Sequence, residues 1–515
     1  MKPLLIFTTL VALTACSGLP QGGGGPPSYA LKNTEGTSLA ATVRPRLSGH
    51  AGQSGLHALA DPHDAFAARL ALADAAQRGL DVQYYIWNKD MTGRVLLERL
   101  FRAADRGVRV RLLLDDVGTR PSDEVLLAID SHPNIEVRMF NPVAMRSLRT
   151  LGLVTDFTRV NKRMHNKSLT ADGQVSIVGG RNIGDEYYGA HAAANFADLD
   201  VAVIGPAVKQ VSDQFDLYWN HLAAVPIAAL SRQNTTPEQF TEKRAAMLAQ
   251  SHLERRSDYV GSVRDSEFAR QIRSRRTTFD WGRVTIVSDH PDKVLSSSAD
   301  TDTHLAPHLR EVVNRAKREV FLVSPYFVPG KNGVALLAAA RARGPRIVVI
   351  TNSLASTDGV PVHSGYQRYR KSLLRAGVEL YEMKPTAATG QRSSGGLTGS
   401  KGSGGSSGAS LHAKAFAFDR RIGFIGSYNL DPRSSRLNTE MGVLFDCPAL
   451  AKRLPIETER NLARNAYRVK LEDNRLVWIT REGDKEVRYS SEPGVGWWKK
   501  AKVKILSWLP IESLL

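Results

Sequence analysis

Cysteine is nearly missing from this chain: there are two in 515 residues, Cys16 and Cys447. That excludes a fold braced by several disulfides, and no intrachain bridge is expected. Long apolar runs are missing too. The leading one, Leu4 to Leu13 in MKPLLIFTTLVALTAC, is too short to span a bilayer as a stable helix, and no other run is long enough. Acidic residues are in deficit, with 51 Asp and Glu against 69 Lys and Arg, a net charge of +18. Such a balance suits an anionic partner, either nucleic acid or an anionic lipid surface, without choosing between them.

What is present divides the chain into parts. A lysine at position 2 followed by a short apolar core reads as a signal peptide over residues 1–15. Leu13-Thr14-Ala15-Cys16 has the form of a bacterial lipobox, in which Cys16 is acylated and becomes the new N-terminus. The expectation is a lipoprotein held by acyl chains on the periplasmic side of a bacterial membrane. Residues 16–59, which include SGLPQGGGGPPS, read as a flexible Gly/Pro tether. Helix and strand patterns then alternate. DAFAARLALADAA reads as a helix with Asp64 as N-cap, LDVQYYIW as a strand, GRVLLERLFRAADRG as a helix closed by Gly107, and VRVRLLLDD and IEVRMFNP as further strands. The same order returns in EVFLVSPYFVP, RIVVITNS and VELYEMKP, each preceded by a helical stretch. The fold class is therefore α/β, built as a duplication. The expected boundaries are an N-terminal half at 60–226, a helical inter-half segment at 227–278, and a C-terminal half at 279–455. The second half contains a Gly/Ser-rich loop at 394–410, and a basic tail follows at 456–515.

The duplication also repeats chemistry. MHNKSLTAD and LHAKAFAFD share the pattern His-x-Lys-x-x-x-x-Asp, giving His165, Lys167 and Asp172, and then His412, Lys414 and Asp419. The two histidines lie 247 residues apart, and an asparagine follows each by 17, Asn182 and Asn429. Read as strands, each copy puts His and Lys on one face and Asp on the other, at the strand end. QVSIVGG and RIGFIGS read as return strands that bring each asparagine back beside its histidine, with small residues there to let a ligand approach. The two aspartates look structural, pinning each hairpin from its far face. Tyr84, Tyr85, Trp87, Tyr326 and Phe327 sit at strand ends as core or pocket wall.

Two histidines, two lysines and two asparagines around one point suit a phosphodiester. Ammonium and amide donors hold the phosphoryl oxygens, so the reaction needs no metal and no cofactor. One histidine attacks phosphorus and the other moves the proton of the departing and incoming alcohols.

The doubled motif resembles the signature of the phospholipase D superfamily over roughly residues 60–445. The resemblance implies two phospholipase D-like α/β sandwich halves related by a pseudo-two-fold, with the active site at their interface. It also implies an acid downstream of each motif that orients the histidine. Glu440 lies 28 residues after His412, and Asp198 lies 33 after His165, with Asp200 and Asp185 as competitors. Family practice makes the first-motif histidine, His165, the nucleophile and His412 the acid and base. The stretches LDVQYYIWNKDMTGR, GGRNIGDEYYG, SPYFVP, TNSLASTD and NLDPRSSRLNTEMG resemble the C-type bacterial cardiolipin synthases. That implies transfer of a phosphatidyl group onto phosphatidylglycerol, from phosphatidylethanolamine or a second phosphatidylglycerol. The partners expected are phosphatidylglycerol, other phospholipids and the membrane surface, with no nucleic acid; the oligomeric state is left open. Arg146, Arg149, Arg159, Lys162 and Arg163 among apolar residues before the first motif suit an anionic lipid, as do the lysines and tryptophans of GWWKKAKVKILSWLP. The rival functions are a phospholipase D releasing phosphatidic acid, a phosphodiesterase or nuclease of the same superfamily, and an inactive lipid-binding lipoprotein.

Overall fold

The computed structural model describes residues 24–146, 149–191, 194–230, 236–254, 256–296, 304–385 and 408–508. The leader 1–15, Cys16 and residues 394–407 of the Gly/Ser loop lie outside them.

Three parallel strands head each half. In the first they are Gly79–Tyr84, Arg109–Asp115 and Ile135–Phe140. In the second they are Glu319–Val323, Arg346–Asn352 and Glu379–Met383. Both faces of the first-half strands are covered, and charged residues that interrupt their apolar positions are paired inside, as Arg111 is with Asp81 at 2.7 Å. Helices Pro62–Ala75 and Met91–Asp105 sit on the first half, with Leu96, Leu100 and Phe101 fully inside. An antiparallel hairpin adds to each set: Ser168–Ala171 with Val175–Gly179, and Lys414–Phe418 with Ile422–Gly426.

The halves join at their edges. Ser54–Leu59 in the first pairs antiparallel with Asp280–Ser288 in the second, Gly55 opposite Trp281, joining the halves in one sheet of eighteen strands among the described residues. An apolar core crosses that seam, where Leu56, Val178 and Val201 meet Ile286, Ile425 and Val443.

Each motif aspartate ends its strand in a left-handed conformation, φ 52° at Asp172 and 53° at Asp419. The carboxylate then turns back on the loop before the first parallel strand of its half. Asp172 accepts from the amides of Gln77 (3.1 Å), Arg78 (2.7 Å) and Gly79 (3.0 Å). Asp419 accepts from Lys317 (3.0 Å), Arg318 (2.7 Å) and Glu319 (2.9 Å). Asp172 is buried, whereas Asp419 keeps a partly open side.

Several boundaries differ from the sequence reading. The N-cap of the first helix is Asp61, which accepts from His63 and Asp64; Asp64 itself accepts from Phe268 at 2.7 Å. Residues 24–59, read as part of a flexible tether, are docked. They contain the helix Ser38–Leu47 and the seam strand Ser54–Leu59. The reason is buried arginine. Arg111 donates to the Ser28 carbonyl at 2.8 Å and Arg138 to the Pro26 carbonyl at 2.7 Å, so this backbone satisfies guanidinium groups that burial would otherwise strand. Residues 227–278 hold helices Pro237–Glu254, Asp258–Arg264 and Glu267–Arg273, which lie on the helices of the first half. The region read as a tail is sheet from Ala466 to Tyr489. Its strands Ala466–Glu472, Arg475–Glu482 and Lys485–Tyr489 extend the second half beside Glu379–Met383. The turn signal was Asp473-Asn474, both at positive φ, as a two-residue hairpin requires.

Asp172→Ala leaves three amides without their acceptor, that of Gly79 buried and those of Gln77 and Arg78 part-buried, and puts alanine at positive φ, so it should lower unfolding free energy by roughly 3 kcal/mol. Asp419→Ala, half in solvent, should cost roughly 1 kcal/mol. Urea unfolding of the two variants checks the ranking, and equal losses would contradict it.

Candidate functional site

The same construction brings each motif histidine to the seam. At the carboxyl end of Arg109–Asp115, the buried Asp115 accepts from the Met164 amide and the Arg163 guanidinium, both at 2.9 Å. That holds the chain just before His165. The next step crosses to the other half: the His165 amide donates to the Thr439 carbonyl at 2.8 Å, and the Thr439 amide to the Arg163 carbonyl at 2.9 Å. The residue after Thr439 is Glu440, whose Oε2 lies 2.7 Å from His165 Nδ1. In the second half Asn352 ends Arg346–Asn352 and holds Leu411, accepting from its amide at 3.1 Å and donating to its carbonyl at 2.9 Å. Gly408–Leu411 then pairs parallel with Ala194–Ala197, and the His412 amide donates to the Ala197 carbonyl at 2.8 Å. The residue after Ala197 is Asp198, whose Oδ2 lies 2.6 Å from His412 Nδ1.

The pairing is therefore crossed. The acid that follows the second motif meets the first histidine, and the acid that follows the first motif meets the second. Spacing along the chain could not show this, because the crossing is made by backbone bonds between halves. The same bonds explain why both histidines lie just before their hairpin strands, which begin at Ser168 and Lys414, instead of inside them. The competing acids are engaged elsewhere. Asp200 is held by Arg69 at 2.9 Å and Arg181 at 3.2 Å, and Asp185 accepts from the Thr92 amide at 2.8 Å.

Each lysine folds back beside its histidine, and Lys167 and Lys414 each donate to the carbonyl of the histidine two residues earlier at 2.6 Å. Tyr85 stands edge-on to His165, ring centres 5.0 Å apart, with Lys167 Nζ 5.5 Å from the same ring. Tyr187 and Phe196 flank His412 at 5.3 and 5.0 Å. The two asparagines differ. Asn182 is fixed at both ends, accepting from the Ile86 amide at 3.1 Å and donating to the Tyr187 hydroxyl at 2.8 Å. Asn429 Oδ1 is buried with no hydrogen-bond partner. The small residues of the corner serve the protein itself: a Cβ on Gly180 would sit 2.2 Å from Asp198 Oδ1, so the close approach there is to the acid strand. Ser427 occupies the matching place in the second copy and donates to Glu440.

The histidines, lysines, asparagines and both acids are buried, Tyr85 and Phe196 partly so, and the two histidines keep 7% exposure each. Burial, and then the charges of Lys167, Lys414 and His412, hold His165 well below the ordinary imidazole value. Burial pushes the Glu440 carboxyl up to about 7, against the pull of Lys167 and Ser427. Burial also pushes Asp198 up, but His412, Lys414 and Arg181 outweigh it and hold that carboxyl below its usual range. Burial lowers Lys167 to about 7 and lowers Lys414 as well. His412 is lowered by burial and Lys414, with Asp198 pulling the other way. The cluster thus concentrates cationic and donor groups in a dry place where an anion is the natural guest. Among the described residues no group of three or more His, Cys, Asp and Glu converges as a metal ion would need.

Sequence reasoning missed Asp115 and Asn352, Tyr187 and Phe196, and Ser427. The first pair had a signal, since both end the second parallel strand of their half.

Comparison with known proteins adds an independent line. The family model described as "Cardiolipin synthase, PLD-like domain" matches residues 70–219 and 309–461. Cardiolipin synthase C of Escherichia coli (strain K12) is 43% identical over 480 residues, which is 93% of this chain and 99% of that protein. An uncharacterized protein of Helicobacter pylori (strain ATCC 700392 / 26695) is 31% identical over 493 residues, 93% of each chain. Among solved structures, a phosphatidylserine synthase from Haemophilus influenzae Rd KW20 has the same fold, with a TM-score of 0.56 at 14% identity, covering 93% of this chain and 100% of that one.

Asp198→Asn tests the crossed pairing without any substrate. The carboxylate favours the imidazolium, so its loss should lower the His412 pKa and leave His165 where it was. Imidazole titration by NMR reads both rings, and a shift at His165 instead would mean pairing within one half.

Proposed function

Since the chain belongs to the phospholipase D-like cardiolipin synthase family, we propose that it makes cardiolipin from phosphatidylglycerol through a phosphohistidine. Phosphatidyl transfer on phospholipids is the activity of this type of enzyme; the intermediate, the donor and the division of roles are our reading. The observation that carries it is the unequal pair of imidazole–carboxylate contacts.

Burial and the neighbouring cations favour the neutral form of His165, and Glu440 beside its Nδ1 leaves the Nε2 lone pair to attack. His412 lies against a carboxylate that stays ionised, which suits a ring that must hold a second proton. In the first step the His165 Nε2–phosphorus bond forms and the bond from phosphorus to the headgroup oxygen breaks. His412 gives its proton to that oxygen, releasing ethanolamine or glycerol. In the second step a phosphatidylglycerol hydroxyl gives its proton to His412 as its oxygen attacks phosphorus. The P–N bond breaks, and cardiolipin leaves. Lys167, Lys414 and the asparagine amides hold the phosphoryl oxygens through both steps, and Asp198 and Glu440 orient the rings. Phosphatidylglycerol or phosphatidylethanolamine would be the donor. The substrates lie in a bilayer, and no described helix is long and apolar enough to cross one. An acyl chain on Cys16, outside the described residues, would keep the enzyme on the periplasmic side of the membrane.

Purified enzyme with labelled phosphatidylglycerol, with and without phosphatidylethanolamine, should form cardiolipin, and activity should survive a chelator. Phosphatidic acid alone would identify a hydrolase, and DNA cleavage without lipid turnover a nuclease. His165→Ala and His412→Ala should each lower kcat by about 10⁴-fold or more. Acid-labile label should build up on the protein in His412→Ala and never in His165→Ala; the reverse would exchange the two roles.

A further inference from the structure

A helix on a protein surface ordinarily turns its apolar side inward. The helix Trp497–Leu506 does the opposite. Val503 is buried, while Trp497 (63%), Trp498 (70%) and Ile505 (59%) stand out in solvent with Trp508 (74%) just past its end. The same stretch carries Lys499, Lys500, Lys502 and Lys504, and no acidic residue occurs between 497 and 508. The helix is also firmly placed. Its leading segment enters the domain at Glu492, which is paired with the buried Arg370 and accepts from Gln367 at 3.1 Å. The helix itself lies on Val360–Gln367, with Arg368 donating to the Ser507 carbonyl.

A second outward ridge belongs to the first half. In the helices Arg149–Thr155 and Phe157–Val160, Val154 (71%), Phe157 (50%) and Leu151 (39%) face solvent, while Gly152 and Val160 face in. Arg149 ties the ridge to Asp116 at 3.0 Å, and Asn141 donates to the Arg159 and Lys162 carbonyls at 3.0 and 2.8 Å.

Both features lie beyond the carboxyl ends of parallel strands, one in each half. The ridge is bound to residues that follow Asp115, the group that holds the entry to His165. Gly494, just before the helix, lies against Ala355, in the loop that follows Asn352, the group that holds the entry to His412. In that loop Asp358 accepts from the Tyr326 hydroxyl at 2.8 Å, and its charge reaches His412 and Lys414. The two outward apolar and basic surfaces therefore share the end of the fold where the histidines sit.

We infer that these surfaces are where the folded domain lies on an anionic phospholipid bilayer, the tryptophans at headgroup depth and the lysines on lipid phosphates, with the site turned to the membrane. Indole rings beside ammonium groups match that interface and not a duplex, which offers charge without an apolar layer. The inference rests on the phospholipid substrate proposed above and adds the geometry of access to it.

Protein of residues 17–515, which lacks both the apolar leader and Cys16 and keeps every described residue, isolates this contact. It should float with phosphatidylglycerol/phosphatidylcholine vesicles, bind pure phosphatidylcholine far less, and release in high salt. Trp497→Ala/Trp498→Ala/Trp508→Ala should weaken vesicle binding by about tenfold or more. Replacing the four lysines by glutamine should weaken it about fivefold per residue at low salt. Val154→Ser/Phe157→Ser should add to the loss. Turnover of a short-chain, monomeric phosphatidylglycerol should be the same in every variant, which shows that the fold and site are intact. Unchanged vesicle binding in the tryptophan variant would overturn the inference, as would equal binding to neutral vesicles or lysine-dependent binding to DNA alone. Vesicle binding without turnover of any phospholipid would refute the proposed reaction and leave the surface standing.

Discussion

The carboxylate that orients each histidine belongs to the other half of the chain. Glu440 reaches His165 and Asp198 reaches His412, each through a short parallel pairing that joins a motif entry to the segment ahead of the opposite acid. Neither half holds a complete imidazole–carboxylate pair by itself. The edge pairing of Ser54–Leu59 with Asp280–Ser288 and the shared apolar core thus have a chemical consequence as well as a structural one. A shift along the seam would move each ring away from its partner, and hydrogen bonds of this kind tolerate little displacement.

On this symmetrical frame the two copies have become chemically unequal. One acid is Asp198, backed by Gly180 with no room for a side chain, and it stays ionised. The other is Glu440, which accepts from Ser427 in the place that Gly180 holds in the first copy and is pushed up to about 7. Asn182 is fixed by the Ile86 amide and Tyr187, whereas Asn429 leaves its oxygen without a partner. A two-step transfer asks one histidine to be a nucleophile and the other to be a proton carrier. Two identical environments would serve neither role well, since the first needs a neutral ring and the second an available imidazolium.

The duplicated α/β order and the convergence of the two motifs were legible in the sequence, because strand runs, helix patterns and the His-Lys-Asn spacing are local signals. The crossing was not, because it depends on which edge meets which across the seam, and no spacing encodes that. The docking of residues 24–59 was hidden for a related reason. A Gly/Pro-rich stretch looks like tether until the buried Arg111 and Arg138 are seen to need its carbonyls. The strands after Ala466 were obscured by charge, since LEDNRLVWITREGDKEVRY alternates too weakly to announce an edge sheet, although Asp473-Asn474 marked the turn.

The cluster at the seam is costly to keep empty. Two lysines and two histidines lie within the protein against two carboxylates, and burial disfavours every charge among them. The response is visible in Lys167 and Glu440, both brought by burial to about 7 from opposite directions, which lowers the cost of a neutral form at either group. An arriving phosphodiester reverses that balance. Its negative charge favours the ammonium form of both lysines and the imidazolium form of His412, and it supplies acceptors for the ammonium and amide donors. The rigidity needed to keep such a site open comes from ion pairs around it, Arg163 with Asp115 behind the first motif and Arg69 and Arg181 with Asp200 behind the return strand. These fully paired groups hold the shape, and the incompletely paired ones between them are left to the substrate.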